Sequence, residues 1–258
     1  MKTRIISGLI GLAILLVVLY SGGMVFKGTI LAITLVGLYE YHRAIEGLKD
    51  KYIVSYMNYL FAIALFFKDI LGMEDYLGEI LFLYAIAVAM HMVLKRDTTL
   101  KDVSYSMFGG IYVAFFLSHL YSFEGSMLIW LIFIVAWMTD TFAYFTGMFF
   151  GKHKLCPHLS PKKTVEGALG GVVGAAVSAV VFSLYFKVNG VFLIGIMAVF
   201  GSVISQVGDL TASRIKRIAG IKDYGNLMPG HGGVLDRFDS IIFASPFIYY
   251  SLKLFGLM

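Results

Sequence analysis

An acidic side chain lies deep inside an apolar stretch in the second half of the chain. Asp140 stands well within the run 127–149, and Tyr144 follows one helical turn later. A carboxylate at membrane depth is costly unless it is paired, hydrated or bound to a cation. Residues four apart share one helix face. Asp140 is therefore a candidate functional residue, although an aspartate that packs between helices would show the same pattern.

Two adjacent lysines, Lys162 and Lys163, form the second candidate group. We expect Ser160-Pro161 to form a turn and residues 164–167 to begin the next helix. Lysine ammonium groups near a helix N-terminus, with its free backbone N–H groups and its dipole, favour phosphate. The pattern indicates an anion site, and an ordinary basic cytoplasmic loop remains the alternative.

The third group is a long polar stretch, around 207–239, which we expect to be a loop. We expect its last residues to begin the final helix, where Asp236 and Asp239 are three apart and can face one site. Its Gly230–Gly233 segment allows close approach of a ligand to the backbone. The acids of this stretch are Asp209, Asp223, Asp236 and Asp239. Carboxylates beside lysines and a glycine-rich loop suit Mg²⁺ and polyphosphate, and Mg²⁺ takes only one or two protein carboxylates. His231 fits either a base or a turn histidine bonded to backbone.

The composition is that of a membrane protein. Hydrophobic residues make up 59% of the 258 residues and charged residues 14%, against roughly 25% charged in soluble domains. This composition excludes a soluble globular protein, a disordered chain and a disulfide-rich secreted module, and the single Cys156 allows no internal disulfide. The net charge of +5 fits basic cytoplasmic loops, and we expect no nucleic-acid partner because no basic soluble domain interleaved with aromatic residues is present.

Hydropathy predicts an all-α polytopic membrane protein with about nine transmembrane helices, because a helical span needs about 20 apolar residues. The expected spans are Ile5–Tyr20, Met24–Tyr39, Ile53–Phe67, Gly78–Leu94, Ser104–Tyr121, Met127–Phe149, Gly167–Phe186, Val191–Gln206 and Ser240–Phe255. We expect one membrane domain over 1–258, with membrane helices of ordinary composition in 1–125 and a catalytic half in 126–258. The small residues between 167 and 176 predict close helix packing, either inside one chain or in a homodimer.

The distribution of basic residues predicts the orientation. With the N-terminus in the cytoplasm and the C-terminus outside, 17 of the 21 lysines and arginines lie on the cytoplasmic side. The expected location is the plasma (inner) membrane, with the active site facing the cytoplasm.

The polar stretch also resembles the signature of the phosphatidate cytidylyltransferase (CDP-diacylglycerol synthase) family. The matching residues are Ser213, Lys216, Arg217, Lys222, Asp223, His231, Gly232, Gly233, Asp236, Arg237 and Asp239. Upstream similarity includes Gly208-Asp209, the segment from Ser160 to Gly167, and Asp140-Thr141 with Ala143-Tyr144. Ala212 stands where the family often has Glu, and Tyr224 where it often has Ser. Neither departure removes a signature residue.

The resemblance implies transfer of a cytidylyl group from CTP to phosphatidate, a membrane lipid, giving CDP-diacylglycerol and pyrophosphate for phospholipid synthesis. From the acids of the sequence we predict Mg²⁺ as cofactor, with room for a second cation. The first-choice metal ligands are Asp209 and Asp236, and the second choices are Asp140, Asp223 and Asp239. The predicted catalytic set is Asp209, Asp236, Asp140, Lys162 and Lys163. The predicted substrate-binding set is Lys216, Arg217, Lys222, Arg237, His231, Gly232, Gly233 and Ser213.

Other membrane proteins remain as alternatives. A secondary transporter also places acids and glycines in broken helices, but it should show inverted repeats, which are not evident here. A CDP-alcohol phosphotransferase needs a different spacing of aspartates than Asp236 and Asp239 provide. A lipid kinase would release CDP or ADP in place of pyrophosphate.

Overall fold

The computed structural model of the chain describes residues 2–46, 55–228, 230 and 232–258, and most of them are helical. The first five helices are α1 (Lys2–Ser21), α2 (Gly23–Glu46), α3 (Ser55–Ile70), α4 (Leu77–Leu94) and α5 (Leu100–Gly109). A π-helical segment (Gly110–Phe115) and the single turn α6 (Phe116–Ser118) extend α5. The remaining helices are α7 (Ile129–Phe150), α8 (Val165–Tyr185), α9 (Val191–Ile218) and α10 (Leu235–Leu254).

Within the part of the chain that the structure describes, six helical stretches are long and apolar enough to cross a membrane. They are Gly23–Glu46, Leu77–Leu94, Leu100–Phe123, Ile129–Phe150, Val165–Tyr185 and Val191–Ile218. The other three expected spans also fall on helices, namely α1, α3 and α10, although the start of the span expected at 53–67 lies outside the described residues. The prediction of a helical membrane protein is confirmed, and the number of spans and their orientation stay predictions.

A short β-hairpin interrupts the helices between α7 and α8. Strand β1 (Lys154–Cys156) pairs antiparallel with β2 (Ser160–Thr164), so that Lys154 lies opposite Thr164. The expectation of a turn at Ser160-Pro161 is therefore wrong, because these residues begin β2 and the turn lies at 157–159. Pro161 is compatible with a two-stranded sheet because both of its strands are edge strands.

The polar stretch after the eighth expected span is partly helical. Helix α9 continues to Ile218, so the expectation of a loop is wrong for residues 207–218. The buried positions Ser205, Gly208, Ala212 and Ile215 continue the helical spacing into the polar part. One packed face therefore keeps the helix intact beyond the apolar stretch.

The chain divides into two compact units. The first comprises the described residues of Met1–Gly125 and of Ile218–Arg237, and the second comprises Ser126–Arg217 and Phe238–Met258. The expectation of a single membrane domain stays a prediction.

A buried polar network ties together the helices of the first unit. The Asn58 amide nitrogen lies 2.9 Å from His42 Nε2 and donates to the carbonyl of Ser106 over 3.0 Å. The Tyr84 hydroxyl donates to Asn58 Oδ1 at 2.6 Å. The Tyr41 hydroxyl donates to the carbonyl of Tyr105. These bonds link α2, α3, α4 and α5, and they satisfy polar groups that would be costly to leave unpaired away from water.

In the second unit, α7 and α8 pack with their backbones in close contact. A Cβ at Gly171 would lie 2.8 Å from the carbonyl oxygen of Thr139, and one at Gly167 would lie 2.7 Å from that of Ala143. A Cβ at Gly174 would overlap the Phe142 ring. The small residues thus serve packing inside the chain, as expected for membrane helices. The outer face of α8 carries exposed apolar side chains, including Leu169, Val173, Val177 and Val181.

Candidate functional site

The hairpin of the second unit is held at both of its ends. The Thr164 hydroxyl accepts a hydrogen bond from the backbone N–H of Gly167 and thereby caps α8. The Glu166 carboxylate accepts hydrogen bonds from the backbone N–H groups of Lys152 and His153, and it contacts His153 Nδ1 at 2.6 Å. These contacts fix the strand that carries Lys162 and Lys163, and the expectation that Thr164 opens a helix is confirmed.

A cavity of about 340 Å³ lies between the hairpin, α7 and the N-terminus of α8. Asp140 and Tyr144 from α7, Lys162 and Lys163 from β2, and Gln206 from α9 contribute to its lining. The structure therefore brings together Asp140 and the lysine pair, which the sequence separates by more than 20 residues. Acidic and basic groups beside a helix N-terminus suit a polyphosphate with its counter-ion.

Lys163 connects the cavity to α9. Its ammonium forms an ion pair with the Asp209 carboxylate, and both side chains are partly exposed. Burial lowers the pKa of the Lys163 ammonium, while the negative charges of Asp140 and Asp239 act in the opposite direction and the positive charge of Lys216 acts with burial. Asp209 therefore pairs with Lys163 directly, while Asp140 and Asp239 lie near enough to favour its charged form.

Helices α9 and α10 meet close to Asp209. A Cβ at Gly208 would lie 2.6 Å from the backbone oxygen of Asp239, so glycine is required where the two backbones approach. Ser213 and Lys216 follow Asp209 by one and two helical turns on the same side of α9. Both are half-buried, whereas Arg217 is exposed. The second unit thus brings together Lys162, Lys163, Asp140, Asp209 and Asp239.

The glycine-rich segment of the first unit folds around Asp236. One carboxylate oxygen of Asp236 accepts hydrogen bonds from the backbone N–H groups of Tyr224 and Gly233, at 2.8 and 2.9 Å. Gly232 has a φ of +88°, and a Cβ there would lie 2.6 Å from the same oxygen. Asp236 is buried, with 6% of its surface exposed. In this structure Asp236 organises the loop, and Gly232 is required by the backbone conformation and by that carboxylate.

A second buried carboxylate, Glu40 of α2, meets the same segment. It accepts hydrogen bonds from the backbone N–H groups of Val234 and Leu235 at 3.0 and 2.8 Å. Sequence reasoning missed Glu40 because the first half of the chain was interpreted as membrane helices of ordinary composition. A weak signal was present, since Glu40 directly follows the apolar run 24–39 and has a tyrosine on each side.

For the other predicted residues of the polar stretch, as far as the structure describes them, it gives burial but no contact to the groups named above. Lys222, Asp223 and Arg237 are exposed in the first unit, and His231 lies outside the described residues. Among the described residues, no group of three or more histidine, cysteine, aspartate or glutamate side chains is arranged to hold a metal ion. The assignments of metal ligands and substrate-binding residues stay predictions.

Comparison with known proteins decides the family. A model of the cytidylyltransferase family matches residues 2–255. The chain belongs to this family. It is 35% identical to a phosphatidate cytidylyltransferase of Bacillus subtilis, with 99% of both chains covered. It is 32% identical to one of Staphylococcus saprophyticus and 31% identical to one of Staphylococcus haemolyticus, with 96% of this chain and 97% of each relative covered.

The family resemblance found in the sequence is therefore confirmed. The prediction that the protein is an enzyme, a nucleotidyltransferase, is confirmed as well. The two departures from the signature are accommodated locally. Ala212 is fully buried in α9. Tyr224 contacts Asp236 through its backbone N–H, a group that any residue except proline supplies. The hydrogen bond to Asp236 is thus independent of the side chain at position 224.

Proposed function

We propose that this cytidylyltransferase transfers the cytidylyl group of CTP to phosphatidate and releases pyrophosphate. The family and the names of the relatives support the reaction. Helices able to cross a membrane fit a substrate whose acyl chains remain in the bilayer. The product, CDP-diacylglycerol, serves phospholipid synthesis.

One observation carries the assignment to the second unit: the cavity that joins Lys162 and Lys163 to Asp140 beside the start of α8. The two ammonium groups offset phosphate charge, and the helix N-terminus adds backbone N–H groups and a favourable dipole. Tyr144 and Ala143 add contact surface beside these charges. We assign the triphosphate of CTP, or the phosphate of phosphatidate, to this cavity.

The chemistry needs positioning more than a strong base. A phosphate monoester has a second pKa near 6, so most phosphatidate phosphate carries two charges at neutral pH. One of its oxygens attacks the α-phosphorus of CTP, a new P–O bond forms, and the bond to the β-phosphate oxygen breaks. Pyrophosphate leaves with that bonding electron pair. The enzyme must bring two polyanions together and stabilise charge on the leaving group, as in other phosphoryl transfers.

Mg²⁺ remains our proposed cofactor, with room for a second cation. Because Mg²⁺ usually takes one or two carboxylates and completes its shell with phosphate oxygens and water, two neighbouring acids suffice. Asp209 fits this requirement, since it lies beside Lys163 and where α9 meets α10 at Asp239. Asp236 fits less simply, because one of its oxygens already accepts two backbone N–H groups. The cation would act as a Lewis acid on the phosphates.

We also propose that the protein spans the plasma membrane nine times. The N-terminus, the β1–β2 hairpin and the polar stretch around 207–239 would then lie in the cytoplasm. The excess of lysine and arginine in the loops assigned to that side supports this orientation. CTP is a cytoplasmic substrate, so a cytoplasmic site agrees with the chemistry. A homodimer stays compatible with the sequence.

One assay tests the reaction. Purified protein in liposomes that contain phosphatidate receives Mg²⁺ and CTP labelled in the cytidine moiety, and lipid-bound label and pyrophosphate are measured. We expect both to rise in equal amounts. Release of labelled CDP, with no label in lipid, would indicate a kinase. Solute uptake without CTP consumption would indicate a transporter, and either result would contradict the proposal.

A further inference from the structure

Glu40 is a buried acid that the proposed reaction does not use directly. Only 4% of its surface is exposed, and it lies in α2, far along the chain from the signature residues. A buried carboxylate is costly unless it is hydrogen-bonded. Its partners therefore indicate why it is present.

Those partners are the two backbone N–H groups at the start of α10. Glu40 Oε1 accepts from Val234 and Oε2 from Leu235, across 194 and 195 residues of sequence. The first N–H groups of a helix have no partner within the helix, and a negative charge there is favoured by the helix dipole. One carboxylate thus satisfies two otherwise unpaired donors directly before Asp236 and Arg237.

Two glycines make room for this carboxylate. A Cβ at Gly233 would lie 2.3 Å from Glu40 Oε1, and a Cβ at Gly225 would lie 2.5 Å from the same oxygen. The second glycine of the His-Gly-Gly sequence is therefore needed because the Glu40 carboxylate occupies the space of a side chain. The segment closes around Glu40 in the same way that Gly232 closes around Asp236.

Helix α2 is held by neighbouring helices around Glu40. Tyr41 and His42, the next two residues, are bonded to α5 and to Asn58 of α3. One turn before Glu40, a Cβ at Gly37 would lie 3.2 Å from the Leu235 side chain. Rigid elements with fixed rotamers hold a site more precisely than loops do.

We infer that Glu40 is a positioning residue for cytidylyl transfer: its carboxylate clamps the N-terminus of α10 and so fixes Asp236 and Arg237. The inference rests on the proposed function for its catalytic consequence, whereas the clamp itself is a property of the fold. Glutamine at position 40 keeps the size but offers only one carbonyl oxygen to the two N–H donors. Aspartate keeps both oxygens but is shorter by one methylene.

The first test compares Glu40→Gln and Glu40→Asp with the unaltered protein. We expect kcat/KM to fall about 10- to 100-fold for Glu40→Gln, the range for misplaced catalytic groups, with a smaller loss for Glu40→Asp. Hydrogen–deuterium exchange should accelerate in peptides covering 224–236. Leu65→Ala, which truncates a side chain in α3 that is 1% exposed, is the control for general destabilisation. Glu79→Gln, at an exposed site on α4, is the control for charge.

The second test is a double-mutant cycle that remains informative if Glu40→Gln folds poorly. Gly233→Ala should displace the carboxylate and accelerate exchange in the same peptides. Once Glu40→Ala has vacated that space, adding Gly233→Ala should change the exchange rate and kcat/KM less than twofold. Such strong non-additivity is expected for residues in contact and not for distant, independent sites.

The outcomes separate the clamp from the reaction. Unchanged exchange at 224–236 in Glu40→Gln, additive effects in the cycle, or an equal loss of kcat/KM in Leu65→Ala at the same melting temperature would each overturn the inference. If the unaltered protein transfers no cytidylyl group, the proposed function fails, while the exchange data still report on the clamp.

Discussion

At the scale of single residues, Asp209 is the acid that we expect to contribute the most important charge to the proposed cation site. It pairs with Lys163 at the cavity of the second unit. Asp209→Asn keeps the shape and removes the charge, so we expect turnover at saturating Mg²⁺ to fall by about 100-fold or more, the scale of losing a key electrostatic group. Asp97→Asn, at an exposed site, is the control. Near-normal turnover of Asp209→Asn in phosphatidate liposomes would contradict the metal assignment.

Asp236 differs from Asp209 because its carboxylate also holds the loop. Asparagine cannot present the same negative oxygen to the N–H groups of Tyr224 and Gly233, and a hydrogen bond to a charged group contributes about 1.5–3 kcal/mol. We therefore expect Asp236→Asn to lower both activity and the melting temperature in detergent, whereas Asp209→Asn lowers activity with a smaller change in melting temperature. Equal melting temperatures for both variants would show that the loop does not depend on Asp236.

The sequence predicted the types of the site residues better than their partners. Lys162, Lys163 and Asp140 share one cavity, as expected for an anion site with an acid beside it. Glu40 could not be paired with Val234 from the sequence, because the contact spans 194 residues and involves only the backbone of its partner. Backbone N–H groups carry no sequence signature, so such a clamp becomes visible only in the fold.

At the scale of elements, hydropathy located the helices because backbone polar groups in a membrane must be satisfied within the element. Hydropathy did not predict the elements that lie outside the apolar stretches. Strand β2 of the hairpin contains Pro161 and two lysines, a composition that indicates a loop. The extension of α9 beyond Gln206 is polar on one side and buried on the other, which a measure of apolar length does not detect.

The contact between α7 and α8 provides a prediction for an element. Alanine at Gly171 would bring its Cβ within 2.8 Å of the Thr139 carbonyl, so the helices must move apart. We expect a loss of about 1–3 kcal/mol, as for other overpacked sites, seen as a lower melting temperature in detergent. Gly28→Ala in α2 is the matched control, since nothing beyond its chain neighbours and the backbone of its own helix lies within 4 Å of its Cβ position. Helix propensity alone favours alanine by roughly 1 kcal/mol, so destabilisation at Gly171 alone would identify the packing contact.

At the scale of the whole molecule, the signature is divided between the two units. Ser213 and Lys216 belong to the second unit, the segment 218–237 belongs to the first, and Asp239 returns to the second. Residues that are continuous in sequence are therefore held by different supports, with Asp236 fixed by the first unit and Asp209 by the second. Mutations far from the polar stretch, such as those at Glu40 or Gly171, are expected to act on one support at a time.

The proposed orientation of the molecule in the membrane leads to a prediction for the two ends of α4. We expect Asp75 to lie outside and Arg96 in the cytoplasm, because basic residues collect on the inner side and α4 (Leu77–Leu94) separates the two. In a Cys156→Ser background, single cysteines at these exposed positions are treated with a membrane-impermeant maleimide. In intact cells, we expect labelling at position 75 only, with position 96 and a cysteine replacing Lys154 labelled after permeabilisation. Labelling of 96 and 154 in intact cells would place the hairpin that carries Lys162 and Lys163 outside, where CTP is not supplied, and would contradict the proposed cytoplasmic site.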